Sequence, residues 1–135
     1  MTKVLISGSR SIKVLPVEAI ESINRIIAQN FRIIIGDADG IDSAVQAYLR
    51  GQGYRQVTVY YAKFNNLGKP RNHHGFSTVS VMGNYSNRDR MMCSFADYGL
   101  AIWDGRSPGT KANIVGVSRG VSHRVPLTRI IKVKG

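Results

Sequence analysis

Cysteine, acidic residues and long apolar runs are all scarce in this sequence of 135 residues. The single cysteine, Cys93, excludes an internal disulfide and cannot by itself form a thiolate metal site, which agrees with a reducing compartment. No apolar run approaches the ~20 residues that a membrane-spanning helix needs, so we expect no membrane association. The first ten residues predict a strand rather than a signal peptide. We therefore expect a soluble, cytoplasmic protein.

The shortage of acidic residues leaves a large positive charge. The chain has 8 Asp and Glu against 19 Lys and Arg, a formal net charge of +11. Residues 1–60 hold seven basic and five acidic residues, whereas residues 61–135 hold twelve and three. Such an excess favours an anionic partner, which is either a phosphorylated small molecule or a nucleic acid backbone. Charge alone does not choose between them.

Short, continuously apolar runs alternate along the chain with segments of helical periodicity. The stretch from residue 63 to residue 85 predicts no regular element, and the helix that follows it is expected to turn Met91, Met92 and Phe95 inward. The apolar runs predict five strands, at 4–6, 33–35, 57–61, 99–103 and 126–133. The periodic segments predict four helices, at 16–29, 41–49, 86–95 and 110–119.

This alternation predicts one α/β domain of Rossmann-like architecture that covers residues 1–135. Because the strands are continuously apolar, we expect a five-stranded, mostly parallel sheet with helices on both faces. Ligands of such open sheets bind outside the carboxyl ends of the strands. The glycine-rich loops of this sequence all fall at that edge, and three of them are candidate binding loops.

The first candidate loop follows the first strand and contains Gly8, Ser9 and Arg10. Its amides and hydroxyls are suited to hold an anion, with charge supplied by Arg10. A structural interpretation is equally open, in which Gly8 serves a tight turn and Ser9 caps a helix.

The second candidate loop runs from Gly36 to Asp42 and leads into the second helix. In a structural interpretation, Asp39 caps that helix, and Asp42, three residues later, forms the reciprocal half of a capping box. In a functional one, Gly36 and Gly40 admit a ligand close to the backbone while Asp37 or Asp42 accepts hydrogen bonds from ribose hydroxyls. The three aspartates also resemble a metal site, but helix caps are the commoner use, so no metal is expected.

The third candidate loop precedes the fourth helix and is the best predicted phosphate site. Free amides at a helix amino terminus hold anions well, and an arginine adds a charge-assisted hydrogen bond. No Gly-Lys-Ser/Thr closes the pattern, so it is not a Walker loop, and ATP hydrolysis by that mechanism is not expected. The candidate residues of this loop are Gly105, Arg106, Ser107, Gly109 and Thr110.

Arg88 stands near the start of the third helix, where a positive charge opposes the helix dipole. Bidentate pairing with a phosphate or a carboxylate explains an arginine there. The alternative is a solvated basic face. His73 and His74 have no partner at metal-ligand spacing, and we expect both to be exposed.

Three ordered motifs, "LISGSR", "IIIGDADGIDSAVQAYL" and "NRDRMMCSFADYGLAIWDGRSPGT", cover most of the chain. Together they resemble the SLOG superfamily, and the YspA-type SLOG proteins in particular. The resemblance implies a Rossmann-like domain for a nucleotide or nucleotide-derived ligand and, since relatives dimerise, a homodimer. It implies a ligand cleft lined by Gly8, Ser9, Arg10, Gly36, Asp37, Asp42, Arg88, Gly109 and Thr110.

Within this resemblance, the Lonely Guy phosphoribohydrolases cleave the glycosidic bond of nucleoside monophosphates. Arg88 matches their arginine, eight residues before Ala96, and Gly109-Thr110 matches their Gly-Thr. The chain departs from their pattern in three places. Asp89 replaces a lysine, the glycine loop is two residues longer, and Asn113 stands where the catalytic glutamate belongs. Since an amide cannot take a proton from water, another base would be needed, such as Asp104, Asp37 or His73.

The DNA-processing protein A family, which binds single-stranded DNA, offers a second similarity. Its Gly-Ser-Arg and Gly-x-Ala-x-Gly-Ile-Asp segments resemble residues 8–10 and 36–42. The positive net charge suits that partner. However, the sequence lacks an evident set of aromatic residues on one basic strip, which stacking with bases would use.

Three hypotheses of function therefore stand. The first is a binding, sensing or ligand-processing domain for a nucleotide-like small molecule, with no further cofactor. The second is a hydrolase of a nucleoside phosphate, with Arg88 and Asp37 as the candidate catalytic residues. The third is single-stranded nucleic acid binding through the basic second half.

Overall fold

The computed structural model describes residues 1–64, 68–120 and 128–133, with the backbone alone for 116–120. These described residues fold as an α/β structure in which four helices accompany one sheet of six strands. The strands are β1 (Lys3–Gly8), β2 (Arg32–Gly36), β3 (Val57–Ala62), β4 (Ser77–Val81), β5 (Tyr98–Trp103) and β6 (Thr128–Lys132). The helices are α1 (Val17–Ala28), α2 (Ile41–Gly51), α3 (Tyr85–Phe95) and α4 (Pro108–Gly120).

The strands lie in the order β4-β3-β2-β1-β5-β6, and every neighbouring pair is parallel. Leu5 of β1 lies between Ile34 of β2 and Gly99 of β5. The chain moves outward from β1 to β4 and then returns through α3 to β5, on the other side of β1. The direction of winding thus reverses between β1 and β5, and the carboxyl ends of these two strands form the crevice where open parallel sheets bind ligands.

Alternate residues of the strands pack into two hydrophobic clusters, one on each face of the sheet. On one face, Ile6 and Ile35 join apolar residues of α1 and α2, among them Ile23 and Val45. On the opposite face, Leu5 and Ile34 contact α3 through Met92, Cys93 and Ala96. The predicted parallel sheet with helices on both faces is therefore confirmed.

The predicted number of strands was wrong, because β4 lies in the stretch 63–85 for which no element was expected. Four of the five residues of β4, Ser77 to Ser80, are exposed, and only Val81 is buried. An edge strand with one face open to solvent needs no continuous apolar run, so the pattern that revealed the other strands is missing here. The last predicted strand is β6, and residues 126 and 127 of that prediction lie outside the described residues.

The predicted inward face of α3 was wrong in two of its three residues. Met92 is buried against the sheet, but Met91 is 38% exposed and Phe95 is 46% exposed. The buried face of α3 instead consists of Arg88, Met92 and Cys93. Because a charged residue occupies part of this face, apolar spacing alone did not reveal it. No helix among the described residues combines the length and the apolarity needed to cross a bilayer.

Candidate functional site

A cavity of about 310 Å³ opens at the carboxyl edge of the sheet, beside the ends of β1 and β2 and the segment that leads from β5 into α4. The helices α3 and α4 enclose its other side. Its wall combines backbone groups, three arginines, two aspartates and an aromatic ring. The lining residues are Ile6, Ser7, Gly8, Arg10, Gly36, Ala38, Asp42, Arg71, Tyr85, Arg88, Asp89, Met92, Ser107, Pro108, Gly109, Thr110 and Asn113.

All three candidate loops contribute to this cavity. Arg10 represents the first loop, Asp42 the second, and Gly109 the third. The predicted site residues that line the cavity are Gly8, Arg10, Gly36, Asp42, Arg88, Ser107, Gly109 and Thr110.

Four predicted site residues lie elsewhere. Ser9 is fully buried, and its hydroxyl accepts a 2.9 Å hydrogen bond from the amide of Asp104, so it joins the first loop to the third. Asp37 is 1% exposed and lies behind the wall, bonded to arginines. Gly105 and Arg106 belong to the turn ahead of α4, outside the cavity wall.

Several glycines of the candidate loops are required by close protein neighbours, among them Gly8, where a Cβ atom would clash with the Ile41 side chain. A Cβ atom on Gly36 would lie 2.7 Å from Asp42 Oδ2 and 3.2 Å from the Arg88 guanidinium carbon. Gly40 has a φ of +82° and faces the backbone of Arg10. The glycines thus allow the loops themselves to approach one another, which is a different role from the predicted close approach of a ligand.

The predicted capping box of α2 was wrong. The helix begins after Gly40, and no side chain caps its first turn. Asp39 instead accepts a 2.9 Å hydrogen bond from the side-chain amide of Asn72. Asp42 accepts one of 3.1 Å from the amide of Ala38, ahead of the helix. Asp42 is therefore free of a capping role and turns toward the cavity.

Arg88, in the first turn of α3, lies in a cluster of carboxylates. Its Nη1 donates to Asp37 Oδ1 at 2.6 Å, and its Nε and Nη2 donate to Asp89 Oδ1 at 3.1 and 3.0 Å. The residue is 7% exposed. These two carboxylates offset the unfavourable position of a positive charge at a helix amino terminus. Phosphate and carboxylate were the predicted partners of Arg88, and the structure contains carboxylates.

Arg71 is a cavity residue that the sequence did not reveal. Its amide donates to Asp37 Oδ2 at 2.8 Å, and its Nη2 donates to Asp37 Oδ1 at 2.8 Å. Its guanidinium carbon lies 4.4 Å from the centre of the Tyr85 ring, and that of Arg88 lies 5.2 Å from it. These contacts fix the loop between β3 and β4 against the cavity, although no periodicity or motif marks Arg71 in the sequence.

The two aspartates of the second loop have opposite electrostatic environments. Burial acts to raise the pKa of Asp37, but hydrogen bonds and charge from Arg71, with the charge of Arg88, outweigh it and hold that pKa below its usual value. Burial raises the pKa of Asp42 to about 7, because the charge of Arg88 and the hydrogen bond from Ala38 offset only part of the desolvation. Burial thus makes the neutral form of Asp42 accessible near neutral pH, and burial also raises the pKa of Asp89, the other carboxyl of the cavity wall.

The start of α4 presents hydrogen-bond donors to the cavity. Asp104 accepts 2.8 Å bonds from the amides of Arg106 and Ser107, and these bonds hold the Asp104 pKa well below its usual value. The first amide to bond back along the helix is that of Lys111, to Ser107 O. The amides of Gly109 and Thr110 precede it and lie among those that a helix leaves without an internal partner.

Two buried polar side chains on α4 complete this end of the cavity. Thr110 is 4% exposed and Asn113 is 7% exposed, and both line the wall. Across the described residues, no hydrogen bond reaches the Thr110 hydroxyl, and the Asn113 side chain has only a 3.7 Å contact from the Cys93 thiol. Because both side chains line the cavity, their polar groups remain open to water or to a ligand there. Donors left open to a cavity are therefore suited to a ligand.

The remaining candidates lie away from this wall. His73 and His74 are exposed as predicted, and His74 Nε2 lies 3.2 Å from the Ser43 hydroxyl. Where side chains are described, no three His, Cys, Asp or Glu residues form a group that could hold a metal ion. The sequence matches no protein-family model, and it has no significant match among curated proteins or solved structures.

Proposed function

We propose that this protein binds a nucleotide, or another phosphorylated ribose derivative, in the cavity at the carboxyl edge of its sheet. The observation that carries the proposal is that the start of α4 lines the cavity, with two helix-terminal amides and the Thr110 hydroxyl that have no hydrogen-bond partner among the described residues. They lie at the point where the winding of the sheet reverses. In open parallel sheets, this position binds phosphorylated ligands.

The phosphate group is assigned to the amides of Gly109 and Thr110, with Arg10 as its counter-charge. Arg10 is exposed and lines the cavity. Among the described residues it has no ion-pair partner, whereas Arg71 and Arg88 are both bonded to aspartates. Arg10 is therefore the arginine of the cavity that can neutralise a phosphate without breaking an existing pair.

The rest of the cavity suits the ribose and the base. Asp42 supplies a carboxyl group, which in either protonation state has an oxygen that accepts a hydrogen bond from a sugar hydroxyl. Tyr85, a partly exposed aromatic residue of the wall, offers a surface for a base. The volume of about 310 Å³ lies at the lower end of the range for small-molecule sites, ~300–1,000 Å³, which favours one nucleotide over a larger ligand.

The resemblance to the SLOG superfamily supports the same proposal. The motifs that carry it supply Gly8, Arg10, Asp42 and Thr110 to one cavity wall. We include in the proposal a Rossmann-like fold of the SLOG type. A homodimer, a cytoplasmic location and nucleic acid binding stay predictions from the sequence.

Calorimetric titration with nucleoside mono-, di- and triphosphates, NAD and ADP-ribose tests the proposal. We expect saturable binding of at least one of these, weakened about tenfold by Arg10→Ala, since a charge-assisted hydrogen bond contributes about 1.5–3 kcal/mol. Arg55→Ala is the matched control, because Arg55 is an exposed arginine ahead of β3, at the opposite edge of the sheet. Absence of binding across the whole panel would refute the proposal.

The second variant pair examines the donors on α4. Thr110→Val keeps the shape of the side chain and removes its hydroxyl, so we expect about a threefold to tenfold weaker affinity at unchanged stability. Thr78→Val, on the exposed face of β4, is its control. Equal affinities for the two variants would exclude the Thr110 hydroxyl from the site.

A second candidate function is hydrolysis of the bound nucleoside phosphate, and Asp42 is the observation that favours it. A general acid or base works best with a pKa near the working pH, and the Asp42 pKa is raised to about 7. The sequence pointed to Asp37, Asp104 or His73 for this role. Asp37 and Asp104 both have lowered pKa values, and His73 lies on an exposed loop outside the cavity wall.

Chromatography of nucleoside monophosphates incubated with the protein tests this candidate. Release of free base by the native protein and its loss in Asp42→Asn would support it. Stable nucleotides after prolonged incubation, in the presence of proven binding, would leave binding as the function.

A further inference from the structure

Asp42 is a buried carboxyl group on the wall of an anion site. It lies in the first turn of α2, is 6% exposed and contacts the cavity. One of its oxygens accepts the amide of Ala38 at 3.1 Å. Within the described part of the chain, no hydrogen bond reaches the other oxygen, which leaves it for whatever occupies the cavity.

The other charges around the cavity largely cancel. Arg71 and Arg88 both bond to Asp37, and Arg88 also bonds to Asp89, so two positive and two negative groups form one connected cluster. Arg10 remains as a positive group at the exposed rim. Five charged groups surround Asp42. Arg88 and Asp89 come from α3, and Asp37 comes from the loop before α2. Arg71 comes from the loop after β3 and Arg10 from the loop after β1.

An ionised Asp42 would place a negative charge in the same small cavity as a phosphate. Like charges in a poorly solvated space repel strongly, and screening by salt is weak there. The wall contributed by α4 and the residue before it holds Ser107, Gly109, Thr110 and Asn113, none of which is charged to offset the repulsion. A neutral Asp42 removes the repulsion and gains an O–H donor.

We propose that the cavity takes up its anionic ligand together with one proton, which Asp42 carries. The proposal rests on the proposed function, and it adds how the site sets the charge of its complex. The proton comes from solvent when the anion enters, and it returns to solvent when the anion leaves. Burial already raises the pKa of Asp42 to about 7, so the neutral carboxyl is accessible at physiological pH.

Nuclear magnetic resonance titration with sulfate between pH 5.5 and 8.5 tests the proposal, because sulfate stays a dianion over this range. For the native protein, we expect the affinity for sulfate to fall about tenfold for each pH unit above pH 7, and to be flat below pH 6. The carboxyl carbon resonance of Asp42 should show a higher pKa in the presence of sulfate than in its absence, as linkage requires.

Asp42→Asn, which resembles a permanently neutral Asp42 in shape, should bind sulfate with no such pH dependence. Asp39→Asn, which changes an exposed neighbouring aspartate, should behave as the native protein does. If the native protein and Asp42→Asn bind sulfate with the same, pH-independent affinity, the proposed proton coupling is wrong, although the anion site itself is retained. No binding of sulfate or of any nucleotide, in either protein at any pH, would overturn the anion site itself and the coupling with it.

Discussion

The Arg88 guanidinium donates a 2.6 Å hydrogen bond to the Asp37 carboxylate and thereby joins the first turn of α3 to the loop after β2. The two residues are 51 positions apart in the chain. Both residues were predicted from the sequence to act in ligand binding or catalysis. Because they bond to each other, a substitution of either also removes a structural contact. Loss of either is expected first of all to disturb the structure of the site.

Asp37→Asn should destabilise the protein. The substitution removes the negative charge that Arg71 and Arg88 share, and breaking a buried ion pair from one side costs about 3–5 kcal/mol. Because Arg71 is partly accessible, we expect about 3 kcal/mol, measured by urea denaturation. Asp39→Asn, at an exposed position, should lose less than about 1 kcal/mol. Similar losses in the two variants would contradict the structural role assigned to Asp37.

Gly36→Ala should also destabilise the protein, by about 1–3 kcal/mol. The added methyl group would lie 2.7 Å from Asp42 Oδ2 and 3.2 Å from the Arg88 guanidinium, both of which are buried. Gly109→Ala is the matched control, since a Cβ there has no neighbour within 4 Å. Thermal denaturation of the two variants should therefore separate them, and a stable Gly36→Ala protein would show that the loops are less closely packed than described.

The pH dependence of stability should identify Asp42. A carboxyl whose pKa rises from 3.8 to about 7 on folding stabilises the folded state most below pH 4, and this contribution is lost as the pH rises toward 7. Relative to Asp42→Asn, the native protein should thus lose about 4 kcal/mol between pH 4 and pH 8, at about 1.4 kcal/mol for each pKa unit. Urea denaturation at several pH values gives this difference. A constant difference across that range would mean that Asp42 titrates normally.

The sequence predicted the parts of the fold that depend on local pattern. β1, β2 and β5 are continuously apolar because both faces of the central strands are buried, and the helices α1 and α2 follow from apolar residues at helical spacing. β4 was not predicted because an exposed edge strand needs no continuous apolar run, and only Val79 and Val81 of its five residues are apolar.

The convergence of the three glycine-containing loops could be predicted, because carboxyl ends of parallel strands share one edge of the sheet. The partners of the charged residues could not. Arg71 reaches Asp37 across 34 positions of sequence, and the unmarked loop that contains it is placed only by tertiary contacts. The environment of Asp42 could not be predicted either. Its sequence position suits a helix cap, but tertiary contacts bury it at the wall of the cavity.

The backbone amides of Gly109 and Thr110 offer the most direct measurement of whether the start of α4 holds a phosphate. Their nitrogen and proton resonances should be followed while the native protein is titrated with the nucleotide that binds best in the calorimetric panel. We expect both resonances to shift far more than the average amide and to saturate together with the calorimetric binding curve. Saturable binding that leaves these two amides unmoved, with the shifts confined to another surface, would contradict a phosphate site at the start of α4.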